Sequence, residues 1–188
     1  MSVGARSVLG MDHFSGTDQA HPLRRMTAAV SGLVKDVEDI DPMFMTTGDK
    51  EAVLGDLDRL EDRLRLLKLG VIHAAGDLAA DAGFKTVAVW RTARQLRDRG
   101  AAAVDDGLAE ALVQRWVTTA AAIRDGRVSM EQARVITRAL DDLSDVLEEE
   151  RTATLAGDAS STDEERAREW IAGLLARGEA HLIELAAD

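Results

Sequence analysis

Four histidines, 34 acidic and 23 basic residues supply most of the reactive chemistry of this 188-residue chain, and their spacing argues against most kinds of site. His13, His21, His73 and His181 are scattered, and none has a second His or a carboxylate at metal-ligand spacing that stands out among so many acids. The acidic run Asp141, Asp142, Asp145, Glu148, Glu149, Glu150 and the group Asp163, Glu164, Glu165 could hold Mg²⁺ or Ca²⁺ in principle. They lack the ordered spacing and central glycine of a calcium loop, so they read as a solvated face and, for 163–165, as charge placed well at a helix start. The chain has no Cys, which excludes disulfides, thiolate metal sites and cysteine nucleophiles. There is no phosphate-cradling glycine loop and no Gly-x-Ser-x-Gly elbow. The expectation is therefore no catalytic residue, no cofactor-binding residue, no metal ligand and no cofactor.

Charge distribution carries more. The net charge of −11 argues against a general polyanion binder. Yet residues 85–138 hold ten basic side chains against six acidic ones, which leaves the rest of the chain strongly acidic. Arg91, Arg94 and Arg97 recur every three residues, and Arg134 and Arg138 lie one helical turn apart. Residues 108–143 also read as helix, short Gly-containing turn, helix, the order of helix-turn-helix DNA readers, with Glu131, Gln132, Arg134 and Arg138 on the second helix. The candidate nucleic-acid contacts are Arg91, Arg94, Arg97, Arg127, Gln132, Arg134 and Arg138, with DNA as the candidate partner. The competing reading is an αα-hairpin whose arginines pair with the abundant carboxylates.

The elements that must position these residues are helices. Met26, Val30, Leu33, Val37 and Ile40 follow Pro22 at helical spacing and stop at Asp41-Pro42. The strongest pattern is Val53, Leu57, Leu60, Leu64, Leu67, Val71, Ala74 and Leu78, stepping alternately by four and three. This unbroken heptad seam predicts one helix over about 49–81, ended near Gly83. The seam suits either a homodimer through helix 49–81 or an intramolecular antiparallel partner, most simply the preceding helix, which has the same spacing.

Val87, Trp90, Ala93 and Leu96 define a further helix. A Gly100–Gly107 break separates it from one through Leu108, Leu112, Trp116, Ala120 and Ile123. Ser129-x-x-Gln132 and Thr162-x-x-Glu165 are capping boxes opening two more, the first expected to fray or turn by about 150 and the second to be interrupted at Gly178. No segment alternates as strands do. The fold class is all-α: a helical bundle with one long spine helix and a C-terminal helical hairpin region. Its expected organisation is a disordered leader at 1–21, a core at 22–156 and a C-terminal segment at 157–188 that reads as a shortened part of the same domain. No stretch approaches the roughly 18–20 apolar residues of a membrane span, and the N-terminus lacks an export signal, so no membrane contact and a cytoplasmic location are expected.

The stretch GRVSMEQARVITRALDDL at 126–143, preceded by AAAIRD at 120–125, resembles the signature of domain-of-unknown-function family 222 (the 13E12 repeat family) of actinobacteria. The Leu/Arg helix at 53–82, the Gly83 turn with Val87–Trp90, and Trp170–Leu175 resemble its flanking blocks. That resemblance implies an α-helical domain which in relatives often precedes an HNH endonuclease module. Such a module needs a His general base, further His and Asn or Asp groups around a divalent ion and commonly a Cys-based zinc scaffold. With no Cys, no Asn and four scattered histidines, this chain carries over no catalytic residue of the family. The resemblance implies a non-catalytic accessory domain that positions nucleic acid or binds a partner through its basic 85–138 region, or alternatively a structural or oligomerisation module using the 53–78 seam. The nuclease activity of full-length relatives is the third reading.

Overall fold

The computed structural model describes residues 21–155 and 160–187, and among these it contains eight α-helices and no strand. The chain divides into two compact units, 1–50 and 51–188, with the boundary inside the second helix. The leader expected at 1–21, with His13, lies outside the described residues except for His21, and so do residues 157–159 of the 157–162 linker.

In the first unit, α1 spans Pro22–Val37. Pro22 sits in the first turn, where its missing N–H costs nothing, and His21 caps the helix, its Nδ1 accepting from Leu23 N at 3.2 Å. The helix ends three residues before Ile40, the last residue of the predicted stripe. Asp41 then caps a short 3-10 turn at Pro42–Phe44, accepting from Met43 N at 2.8 Å.

The second helix, α2, spans Thr47–Ala74 and is followed by α3, Gly76–Asp81. The single spine expected to 81 is thus interrupted at Ala75. Two features act there: Gly76 is a poor helix former, and the Asp77 carboxylate accepts from the neighbouring Leu78 N at 2.7 Å, competing with the helical ladder. The remaining 28 residues of α2 make a rod of about 42 Å at 1.5 Å per residue. Gly83, at φ +75°, closes α3 as the sequence indicates.

α4 spans Val87–Gln95 and α5 Arg99–Glu110. The Gly100–Gly107 segment is therefore helix rather than a break. Asp98 caps it, accepting from Ala101 N at 2.8 Å, and the Ala101–Ala103 run supplies the propensity that outweighs its glycines. The next predicted helix is in turn divided. A π-helical turn at Ala111–Arg115 ends with Trp116 N donating to Ala111 O at 2.7 Å, and α6 then spans Val117–Arg124.

α7, Met130–Thr154, opens on the Ser129–Gln132 capping box in both directions, at 3.2 Å and 2.9 Å. It runs slightly past 150, and Arg151 Nε lies 2.7 Å from Glu148 Oε2 among the carboxylates of its last turns. α8, Ser161–Ala187, is capped by Ser160 with Asp163, two residues before the predicted Thr162–Glu165 box. It passes through Gly178 without a break. A Cβ added there would lie 3.6 Å from Leu140 Cδ2, so Gly178 is where α8 approaches α7 closely. Gln132 at one end of α7 donates to Ala186 O, and the far end of α7 lies against Ala167, Trp170 and Ile171, so α7 and α8 form an antiparallel hairpin.

The core lies between α5, α6, α7 and α8 and one face of α2. Leu108, Leu112, Trp116, Ile123, Met130, Ile136 and Leu140 are buried together with Leu66, Leu69, Ile72 and Ile183. One buried polar brace ties α8 to α6: Glu179 Oε1 accepts from Thr119 N at 2.8 Å and from Thr119 Oγ1 at 2.9 Å, satisfying orphan donors at the α6 N-terminus.

Candidate interaction surface

α2 carries two apolar stripes where the sequence pattern suggested one. The heptad seam places Val53, Leu60, Leu67 and Ala74 at one of its positions and Leu57, Leu64 and Val71 at the other. Leu66, Leu69 and Ile72 occupy the three remaining directions centred about 180° away, given 100° of rotation per residue. The structure buries the second set, at 7%, 1% and 7% exposure, against α5–α8. Polar contacts flank it. Arg63 Nε donates to Arg124 O at 3.1 Å, satisfying a carbonyl at the α6 C-terminus, and the Arg59 chain lies over the Gly126 turn.

The seam remains open to solvent. Val53, Leu57, Leu60, Leu67 and Val71 are 41–54% exposed, and only Leu64 is half-buried. The seam, which suits either a homodimer or an antiparallel partner within the chain, is exposed along most of α2. The apolar residues of α1 are exposed as well, Leu33, Val34 and Val37 among them, and α1 buries none of its residues.

The charged flanks of the seam are ordered. On one flank stand Asp56 and Arg63, and on the other Glu61 and Lys68. Burial holds the Lys68 ammonium below its ordinary pKa. Asp105, at 3.8 Å, opposes that shift, while Arg91, Arg97 and Arg65 add to it. Lys68 thus stands in a locally cationic spot.

The candidate nucleic-acid residues do not form one surface. Arg91 is buried at 2% exposure, its Nη2 bonded to Asp105 Oδ2 at 2.9 Å, so it joins α4 to α5 and is withheld from any outside ligand. Gln132 spends its amide on the capping box and on Ala186 O. Arg127 lies 3.7 Å from Asp125, and Arg134 lies 3.7 Å from Glu131. The shallow groove at Arg134 and Arg138 is also lined by Glu131 and Asp142, which balances its charge. Arg94 and Arg97 are exposed on either side of Leu96, a left-handed residue at φ 51° that ends α4 and is 92% exposed. The helix-turn-helix order itself is present: α6 and α7 are joined at Gly126, φ +72°, with Arg127 N donating to Ala122 O at 2.9 Å.

No group of three His, Asp or Glu residues that could hold a metal ion occurs among the described residues. His73 Nε2 lies 3.3 Å from Gln114 Nε2, and His181 is exposed on α8. Among the described residues, no helix is long and apolar enough to cross a membrane. Sequence reasoning found the seam but not the opposite stripe. The signal was present: apolar residues at 64, 66, 67, 69, 71 and 72 go almost all the way round the helix, more than one partner can cover. Compared with known protein families, curated proteins and solved structures, the chain has no match in any of the three.

Proposed function

We propose that this chain is a non-catalytic helical interaction module that docks through the outward face of α2, with the expected setting in the cytoplasm. One observation carries the reading. A long, regular apolar stripe stays open on a helix that the core already holds by its other side, so the stripe is not needed to keep α2 in place. Leaving such a stripe in water forgoes burial of roughly 25 cal/mol per Å², which a partner recovers on docking. The resemblance of residues 120–143 to family 222 supports the same role, because in relatives the chemistry belongs to a separate nuclease module.

The nucleic-acid reading is weaker. It loses Arg91 to the interior and Gln132 to the hairpin, and it faces a net charge of −11.

The test is the triple variant Leu57→Gln, Leu60→Gln, Leu67→Gln. It should keep the parent's helical circular dichroism and melt within a few degrees of it, while losing association. A variant that melts far below the parent puts the stripe in the fold's own core and ends the reading.

A further inference from the structure

We propose that the occupant of the α2 seam is a second copy of this chain, laid antiparallel so that Glu61 of each copy meets Lys68 of the other. The inference rests on the docking face described above and adds the partner and its orientation.

Flanking charges decide the orientation. In a parallel, in-register pair, Asp56 would face the partner's Glu61 and Arg63 would face the partner's Lys68. Every such contact sets like against like, and twofold symmetry doubles each one. An antiparallel pair instead brings each flank against the same flank of its partner. Centred between Arg65 and Leu66, it stacks Leu57 on the partner's Ala74, Leu60 on the partner's Val71 and Leu64 on the partner's Leu67, each occurring twice. Within α2 these layers run from Leu57 to Ala74, about 26 Å, with Val53 beyond one end and Leu78 on α3 past the interruption at Ala75.

In that register Glu61 and the partner's Lys68 pair twice. The cationic surroundings of Lys68, with Arg65, Arg91 and Arg97 against a single close carboxylate, favour an added acid there. The like pair of Asp56 with the partner's Asp77 falls at the periphery. Arg59, 2.7 Å from Asp56, and Leu78 N, 2.7 Å from Asp77, offset it locally. Sliding the pair by one heptad in one direction puts Glu61 on the partner's Glu61 and Arg63 on the partner's Arg63; in the other it sets Arg63 by the partner's Asp77 but Lys68 on the partner's Lys68, and either slide loses two apolar layers. A slide of two heptads pairs Asp56 with the partner's Arg63 but keeps only four apolar layers. Leu66, Leu69 and Ile72 anchor α2 by the opposite side, and α5 reaches the flank of the contact through Asp105, 3.8 Å from Lys68.

The absence of Cys makes the test clean. In sedimentation over rising concentration the parent should dimerise. Glu61→Lys should weaken the dimer at least tenfold, and Glu61→Lys with Lys68→Glu should recover it to within a few-fold. Under mild oxidation a mixture of Leu57→Cys and Ala74→Cys chains should form a disulfide-linked pair containing one of each, with neither linking efficiently to itself. Self-linking of Leu57→Cys signifies a parallel pair and overturns the proposal. So does a parent chain that stays monomeric; if the triple Gln variant still melts like the parent, the seam then docks something other than a second copy. Should that variant unfold instead, the docking reading itself has failed.

Discussion

Replacing Glu179 with Ala should be among the most damaging single changes available to the second unit. The carboxylate is 5% exposed, and its Oε1 accepts two hydrogen bonds from Thr119, which is fully buried. Hydrogen bonds to an ionised acceptor contribute about 1.5–3 kcal/mol each, and a buried donor left without a partner costs about 1–3 kcal/mol. Truncation also leaves a cavity and removes the side-chain acceptor that serves Thr119 N at the α6 N-terminus. These effects overlap, so the expected loss is about 3–5 kcal/mol rather than their sum. For a chain of this size that lowers Tm by about 6–20 °C. Glu179→Gln keeps an oxygen in place and loses only the charge, so it should cost about 1–2 kcal/mol. Thr119→Val keeps the backbone donor and removes the hydroxyl, and in combination with Glu179→Ala it should add little further loss. Guanidinium titration followed by tryptophan fluorescence, with Trp116 buried in the same core, reads the parent and these variants. If Glu179→Ala and Glu179→Gln cost the same within about 0.5 kcal/mol, the two hydrogen bonds are not what the carboxylate contributes, and the reasoning fails.

Two leucines on α2 should behave oppositely. Leu69→Ala, at 1% exposure, should cost about 2–5 kcal/mol in denaturant titration at low concentration, whereas Leu67→Ala, at 44%, should cost under about 1 kcal/mol; equal losses would refute the two-stripe assignment. Arg91→Ala should cost about 2–4 kcal/mol by leaving Asp105 with only the more distant Lys68, while exposed Arg94→Ala should fall within about 0.5 kcal/mol of the parent. Leu96→Gly should raise stability by about 0.5–1 kcal/mol, because glycine carries no penalty at φ 51°, and thermal melts will detect its sign. In a low-salt gel shift the parent should give no band with a random DNA duplex. A salt-sensitive shift weakened by Arg94→Glu with Arg97→Glu would restore the nucleic-acid reading.

The all-α class, the Ser129–Gln132 cap and the core positions Leu108, Leu112, Trp116, Ala120 and Ile123 were legible because each is set by local spacing. What was not legible depends on neighbours distant in sequence. Residues 100–107 look like a break because glycine is a poor helix former, but Ala102, Leu108 and Ala109 are buried, and that packing carries the helix through. Gly178 misleads for the related reason that it admits Leu140. Arg91 was grouped with Arg94 and Arg97 by spacing alone. Its inward direction follows from Asp105 on the next helix, fourteen residues on, which no period within α4 encodes.

α2 shows that a correct pattern need not name its partner. The seam at 53–78 is real, but periodicity reports only that a face is apolar, not what covers it. The assumption that a fold buries its most regular stripe fails here because a second, shorter set at Leu66, Leu69 and Ile72 meets the core from the other side. Those three residues, with Arg63 on the Arg124 carbonyl, are where α2 meets a core that α5–α8 otherwise supply. On the proposed docking reading, the longer stripe is released from a structural task while keeping its heptad spacing and ordered flanking charges. A helix that only needed solubility would have polar residues at those positions, at no cost to the core.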